Sequence, residues 1–171
     1  MPFPARASGL RISGSICKIE STRLTMPYHI DQSGKIEDTN RLTIVAFANG
    51  KAKSLKISGP EKQKLVSAIR ALDYPKKTFI FRIFAGLIFL LIRNEKIAEI
   101  VIDEEYPGHE ATIKNLLLHL FRKSNKQPPN IIFMEIGKRS LAHKIAWDAF
   151  RNKKRVDIVV KSGNVLELFY K

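Results

Sequence analysis

Two carboxylates stand where strand-like apolar runs give out: Asp31 terminates the short run 27–31, and Asp103 terminates the run 97–102 (IAEIVI). If those strands are neighbours, the two acids face each other at one end of a sheet, where ligands of α/β folds gather. Clustered carboxylate oxygens suit hard divalent cations such as Mg2+ or Mn2+. Two such ions can activate a water and stabilise the leaving oxygen in phosphodiester cleavage. The plainer alternative is structural, with Asp31 starting an Asx-type turn and Asp103 capping a bend. Four histidines are available. His29 is two residues before Asp31, hence on the same face of a regular strand. His109 follows the Pro107-Gly108 break, in a loop that could border a cleft. His143 is four residues before Trp147 on a helix, where packing against the ring is the ordinary outcome. His119 sits in an apolar helix and reads as structural.

The chain around these residues is basic. It has 171 residues, with 30 Lys and Arg against 16 Asp and Glu, and a formal charge of +14 at pH 7. At roughly 150 residues per domain it forms one domain with a short appendage. A hydrophobic fraction of 44% excludes a disordered basic tail. The charge predicts a polyanionic partner, with nucleic acid first and an acidic membrane surface second. The single Cys17 excludes an internal disulfide, and no Cys/His pair has zinc-ligand spacing. A reducing, cytoplasmic setting fits, and Cys17, in a Ser-rich stretch without an obvious base, reads as an inert thiol.

The positive residues gather near the proposed acids. Lys138, Arg139 and Lys144 open the last long helix, Arg151, Lys153, Lys154 and Arg155 close it, and Lys51, Lys53 and Lys56 decorate the third strand. Such residues give affinity for phosphates without reading base sequence. A helix C-terminus also favours cations through its dipole, which accounts for residues 151–155 about as well. It does not account for Lys138 and Arg139, at an N-terminal end. Lys138, Arg139, Lys144 and Lys53 are therefore the expected nucleic-acid contacts.

The elements that must position these groups follow from punctuation. A short strand over 27–31 leads into the turn residues Gln32-Ser33-Gly34. The β-branched and aromatic run 41–48 is followed by Asn49-Gly50, a strong hairpin signal, and 51–58 reads as the returning strand. Ser58-Gly59-Pro60 opens a helix with Leu65, Ile69 and Leu72 as its stripe, stopped by Asp73-Tyr74-Pro75. After an apolar run, 97–102 is a strand. A helix over 110–123 carries Ile113, Leu116, Leu117, Leu120 and Phe121 on one face. Residues 131–136 form another strand, and Ser140 caps a helix carrying Leu141, Ile145 and Phe150. Residues 157–170 read as a small hairpin around Ser162-Gly163-Asn164. Three antiparallel strands followed by alternating helix and strand predict an α/β fold: a mixed five-stranded sheet with helices on both faces.

Two segments stand apart. Residues 1–25 carry Arg6, Arg11 and Lys18 with no acid before Glu20, and lack the apolar stretch of a secretory signal. They read as a leader, mobile or outside the native chain if translation starts at Met26; an organelle transit peptide is the other reading. The folded domain is expected over 26–171. Residues 78–92 are apolar except for Thr78 and Arg82. They fall short of the about 20 residues a membrane span needs, so a buried element is expected, as one helix or two short strands around Ala85-Gly86.

From residue 26 to 152 the sequence resembles the ribonuclease H-like superfamily. Asp31-Gln32-Ser33-Gly34 is similar to the Asp-Gly-Ser segment that ends the family's first strand. Asp103-Glu104-Glu105-Tyr106 is similar to the Asp-Ser-x-Tyr segment at the end of its fourth. The run 143–149 (HKIAWDA) is similar to its Asp-Glu-Leu-Ala-x-x-Ala pattern and puts His143 where ribonuclease H carries its last acid. Some Holliday-junction resolvases of the superfamily use a histidine on this helix. One departure concerns the family's second acid: the run 64–72 (KLVSAIRAL) has Lys64 in its place. Glu61, Glu105 or Glu135 are the residues that could supply the missing oxygen. The resemblance implies binding of nucleic acid (RNA, DNA or a hybrid) and metal-dependent phosphodiester cleavage. Asp31 and Asp103 would be ligands of Mg2+ or Mn2+, His143 third ligand or proton shuttle, and Glu105 auxiliary acid. The rival is a non-catalytic nucleic-acid-binding module whose site is degraded at Lys64. A third reading is a membrane-associated protein using residues 78–92.

Overall fold

A computed structural model describes residues 26–72 and 78–170 of the chain. The proposed leader with Cys17, and the helix stop at 73–75, lie outside these residues. The first three strands are β1 (Tyr28–Ser33), β2 (Thr43–Asn49) and β3 (Lys51–Ile57), each antiparallel to the next. Gly50 turns the β2–β3 hairpin with φ +64°, a conformation open to glycine at no steric cost. Helices α1 (Gly59–Leu72) and α2 (Phe79–Ile92) come next, followed by β4 (Glu99–Ile102), α3 (Glu110–Lys123), β5 (Asn130–Phe133) and α4 (Leu141–Phe150). The chain then adds a strand, β6 (Ile158–Val160), and a helix, α5 (Ser162–Tyr170).

The sheet therefore has six strands rather than five, in the order β5-β4-β1-β2-β3-β6. β4 is parallel to β1, β5 to β4, and β6 to β3. The expected hairpin over 157–170 is replaced by strand and helix for a tertiary reason. Residues 158–160 pair with 55–57, and the Glu61 carboxylate accepts from the Ser162 N–H (2.7 Å) and hydroxyl (2.9 Å), so α1 caps α5. The apolar run 78–92 is a single helix. It has no polar stripe because α2 packs against α1, α3 and α5 while also meeting the sheet. Gly86 is its thinnest point: a Cβ there would lie 3.1 Å from Val165 of α5.

Helices cover both faces, unequally. Ile30, Val45, Phe47, Leu55 and Ile57 join α1, α2, α3 and α5 in the larger core. On the other face Ile44, Ala46 and Ala48 meet α4, through Ala142, Ile145, Ala146 and Ala149, with Leu42 and Val156 at the margin. Small residues on both sides let α4 approach β1 and β2 closely. Two expected stripe residues are corrected here. Leu72 and Leu141 are exposed, and Val66 and Ala142 take the buried positions instead.

Gln32 and Ser33 are not turn residues. β1 continues through them, so Asp31 is interior to the strand, opposite Ala46. The turn begins at Gly34, where φ is +80° and an added Cβ would overlap the Leu42 carbonyl oxygen and lie 2.6 Å from the Phe150 ring.

Candidate functional site

Alternation along the strands decides which side chains meet. Asp31 shares the α4 face with His29, while Ile30 and Gln32 turn to the opposite core. β4 lies directly beside β1, and the Asp103 N–H donates to the Ile30 carbonyl at 3.0 Å, extending the ladder to the end of β4. The chain then turns sharply, with the Glu105 N–H donating to the Asp103 carbonyl at 2.8 Å. This turn folds Glu105 back over the strand ends. Asp31, Asp103 and Glu105 each present a carboxylate oxygen, all within 4.8 Å of one another.

The fourth group comes from α4. Ser140 is the N-cap, its hydroxyl accepting from the His143 N–H at 3.0 Å. This fixes the first turn of the helix and carries the His143 ring to β1, where Nδ1 lies 3.0 Å from Asp31 Oδ2. The two residues are 112 positions apart in sequence. Asp103 is held from another side, its Oδ1 accepting from the Ile136 N–H at 2.7 Å.

Burial and mutual repulsion mark the cluster. Asp31 is 3% exposed, and its carboxyl is pushed above the usual range by burial, opposed by His143 and reinforced by Asp103. Burial, followed by the charges of Asp103 and Asp31, pushes Glu105 up to about 7, with Lys35 pulling the other way. Like charges at this distance favour the protonated forms of Asp31 and Glu105.

The remaining expected residues are dispersed. Glu61 is engaged in capping α5 and in an ion pair with Lys64 at 3.0 Å. It is held well below its ordinary value, to about 2, chiefly by the Ser162 N–H. Glu135 is exposed, so of the three candidates for the missing oxygen only Glu105 joins the group. Lys138 and Arg139 are exposed in the loop before α4, and Lys144 is exposed on α4 itself, one residue after His143. Lys53 lies elsewhere. It shares the larger-core face with Leu55 and pairs with Glu95 at 2.9 Å. His109 stacks on Phe81 with ring centres 4.1 Å apart, and His119 is exposed on α3.

Lys35 is the contributor that sequence reasoning missed. It is an exposed lysine after a glycine, and only the turn at Gly34 brings its charge to bear on Glu105. No protein-family model, curated protein or solved structure matches the chain.

Proposed function

We propose that the chain is a metal-dependent nuclease of the ribonuclease H-like type, with Asp31, Asp103 and Glu105 as ligands of Mg2+ or Mn2+. The observation that carries this reading is the convergence of three carboxylates, one from within β1 and two from just past the end of the adjacent parallel strand β4, with a histidine hydrogen-bonded to one of them. The donor set fits a hard divalent cation: it is all oxygen, and a cation there would offset the repulsion and burial that raise Asp31 and Glu105. Such a cation, when bound, supplies Lewis-acid stabilisation of charge on a phosphate and lowers the pKa of a water.

The chain's own residues supply the rest. Asp31 as carboxylate accepts the Nδ1 proton of His143, leaving Nε2, with no partner among the described residues, to take or deliver a proton. The Ile136 N–H fixes the orientation of Asp103. Lys138, Arg139 and Lys144 stand around the start of α4, where they can neutralise phosphates flanking the scissile bond.

The rival reading, a binding module without catalysis, draws on one observation: α1 contributes no carboxylate, because Lys64 is exposed and Glu61 is engaged elsewhere. One experiment separates them. Melting temperature is followed during Mg2+ and Mn2+ titration, beside cleavage of a labelled RNA–DNA hybrid, for wild type and Asp31→Asn. The nuclease reading expects a cation-dependent rise in melting temperature and cleavage, both lost in Asp31→Asn. Wild type that binds the hybrid with neither metal response nor cleavage supports the rival.

A further inference from the structure

A cleft of about 550 Å3 lies at the far end of α4, against the β3–β6 edge. Lys56, Lys153, Lys154 and Arg155 line it, with Val159 and a single acid, Asp157. Among the described residues none of these four cations forms an ion pair. Asp157 is committed to the fold, its Oδ2 accepting from the Ser54 N–H (2.7 Å) and hydroxyl (3.1 Å).

The lining is held rigidly. Asn152 closes α4 in the left-handed conformation, φ +57°, and the Lys153 N–H donates back to the Asp148 carbonyl at 2.8 Å. At the other end of the segment the Asp157 N–H donates to the Ser54 carbonyl at 3.1 Å. The helix dipole does not account for this arrangement. It fades within the last turn, whereas residues 153–155 lie beyond α4 and Lys56 belongs to a strand. Four unpaired like charges around one concavity repel one another, and a polyanion removes that repulsion.

We propose that this cleft binds backbone phosphates of nucleic acid, as a subsite for the flank of the strand whose scissile bond lies at Asp31, Asp103 and Glu105. The assignment of that flank rests on the nuclease reading above. Lys56 shares a sheet face with Ile44, and hence with α4 and Asp31, so cleft and acids open on one side of the sheet. From His143 to the end of α4 at Phe150 the helix rises ~10 Å, which corresponds to about three nucleotide steps along one strand of a duplex. Arg151, its guanidinium 5.8 Å from the centre of the Trp147 ring, is exposed between the two sites. The shared face with the acids, which charge alone does not supply, favours nucleic acid over an anionic bilayer as the occupant.

The test measures binding of a fluorescein-labelled RNA–DNA hybrid in EDTA, across a series of salt concentrations, by full-length wild type and K153A/K154A. Removing two phosphate contacts should weaken binding and lower the slope of log K against log salt by about two. Melting temperature and its response to Mg2+ should stay as in wild type. R122Q/K161Q, which removes two exposed charges elsewhere, should change the slope far less. An unchanged slope in K153A/K154A, or an equal fall in R122Q/K161Q, overturns the proposal. So does loss of binding to phosphatidylserine vesicles with hybrid binding intact, which would assign the cleft to a membrane. Wild type that neither responds to Mg2+ nor cleaves, while K153A/K154A lowers the slope, refutes the nuclease reading and leaves the phosphate cleft standing.

Discussion

Glu105 is pushed up to about 7 in the fold, because it is half-buried beside Asp103 and Asp31. In the unfolded chain its ordinary value is 4.5. Between these values the folded state holds a proton that the unfolded state has lost, so stability falls as pH rises through this window. The fall is on the order of 2–3 kcal/mol. Asp31 shifts in the same direction and adds to it. Urea unfolding in EDTA at pH 5 and pH 7 should show the higher stability at pH 5, and Glu105→Gln should flatten most of the difference. A wild type as stable at pH 7 as at pH 5 would contradict the burial argument. Saturating Mg2+ should restore stability at pH 7 if the carboxylates are its ligands. Asp31 and Asp103 were legible in the sequence because apolar runs lead up to them. Their contact with His143 was not, since no local pattern encodes a meeting across 112 positions.

Lys62 shows how an element's position can hang on one polar side chain. It is wholly buried, and its Nζ donates to the Lys35 carbonyl (2.8 Å), the Asp38 carbonyl (2.6 Å) and Thr43 Oγ1 (2.9 Å). Burial pushes its pKa down to about 8. The first turn of α1 is thus fastened to the loop between β1 and β2, the loop that also carries Lys35. Lys62→Met keeps the apolar stem but removes the donor shared by three oxygens, leaving the Lys35 carbonyl only the Thr43 hydroxyl (3.3 Å) and the Asp38 carbonyl only the Arg41 N–H (3.3 Å), and should cost about 2 kcal/mol. Chemical denaturation would read this, and a loss below about 1 kcal/mol would mean that water replaces the ammonium. Sequence patterning places the hairpin at Asn49-Gly50 and the helix 110–123 because both signals are local. It misses β6, whose three residues are a strand only beside β3, and it misses α5, whose start is capped by Glu61 from α1. It leaves α2 open because a helix buried nearly all round has no period to read. It puts Leu72 and Leu141 in the core because it cannot see where a helix runs past its neighbours.

At the scale of the molecule, the +14 charge resolves into regions with different company. Lys51 and Lys53 share the Glu95 carboxylate, while the cations at both ends of α4 face no acid partner among the described residues. The core is lopsided as well: among the described residues four helices lie on one face and one, α4, on the other. α4 packs across β1, β2 and β3 and stops there. Past its flank, toward the β5 edge, Ile132 and Met134 are 38% and 48% exposed on the same face as Asp31. Among the described residues the acids consequently stand on a ledge beside α4, not in an enclosed pocket. A ledge grips a small molecule from few sides, yet a polymer can lie along it and be held at points well away from the bond that breaks. Recognition on such a surface discriminates by length. On the proposed nuclease reading, mononucleotides should therefore compete poorly with a bound oligonucleotide, and affinity should climb with each added nucleotide until the strand overhangs the far end of α4.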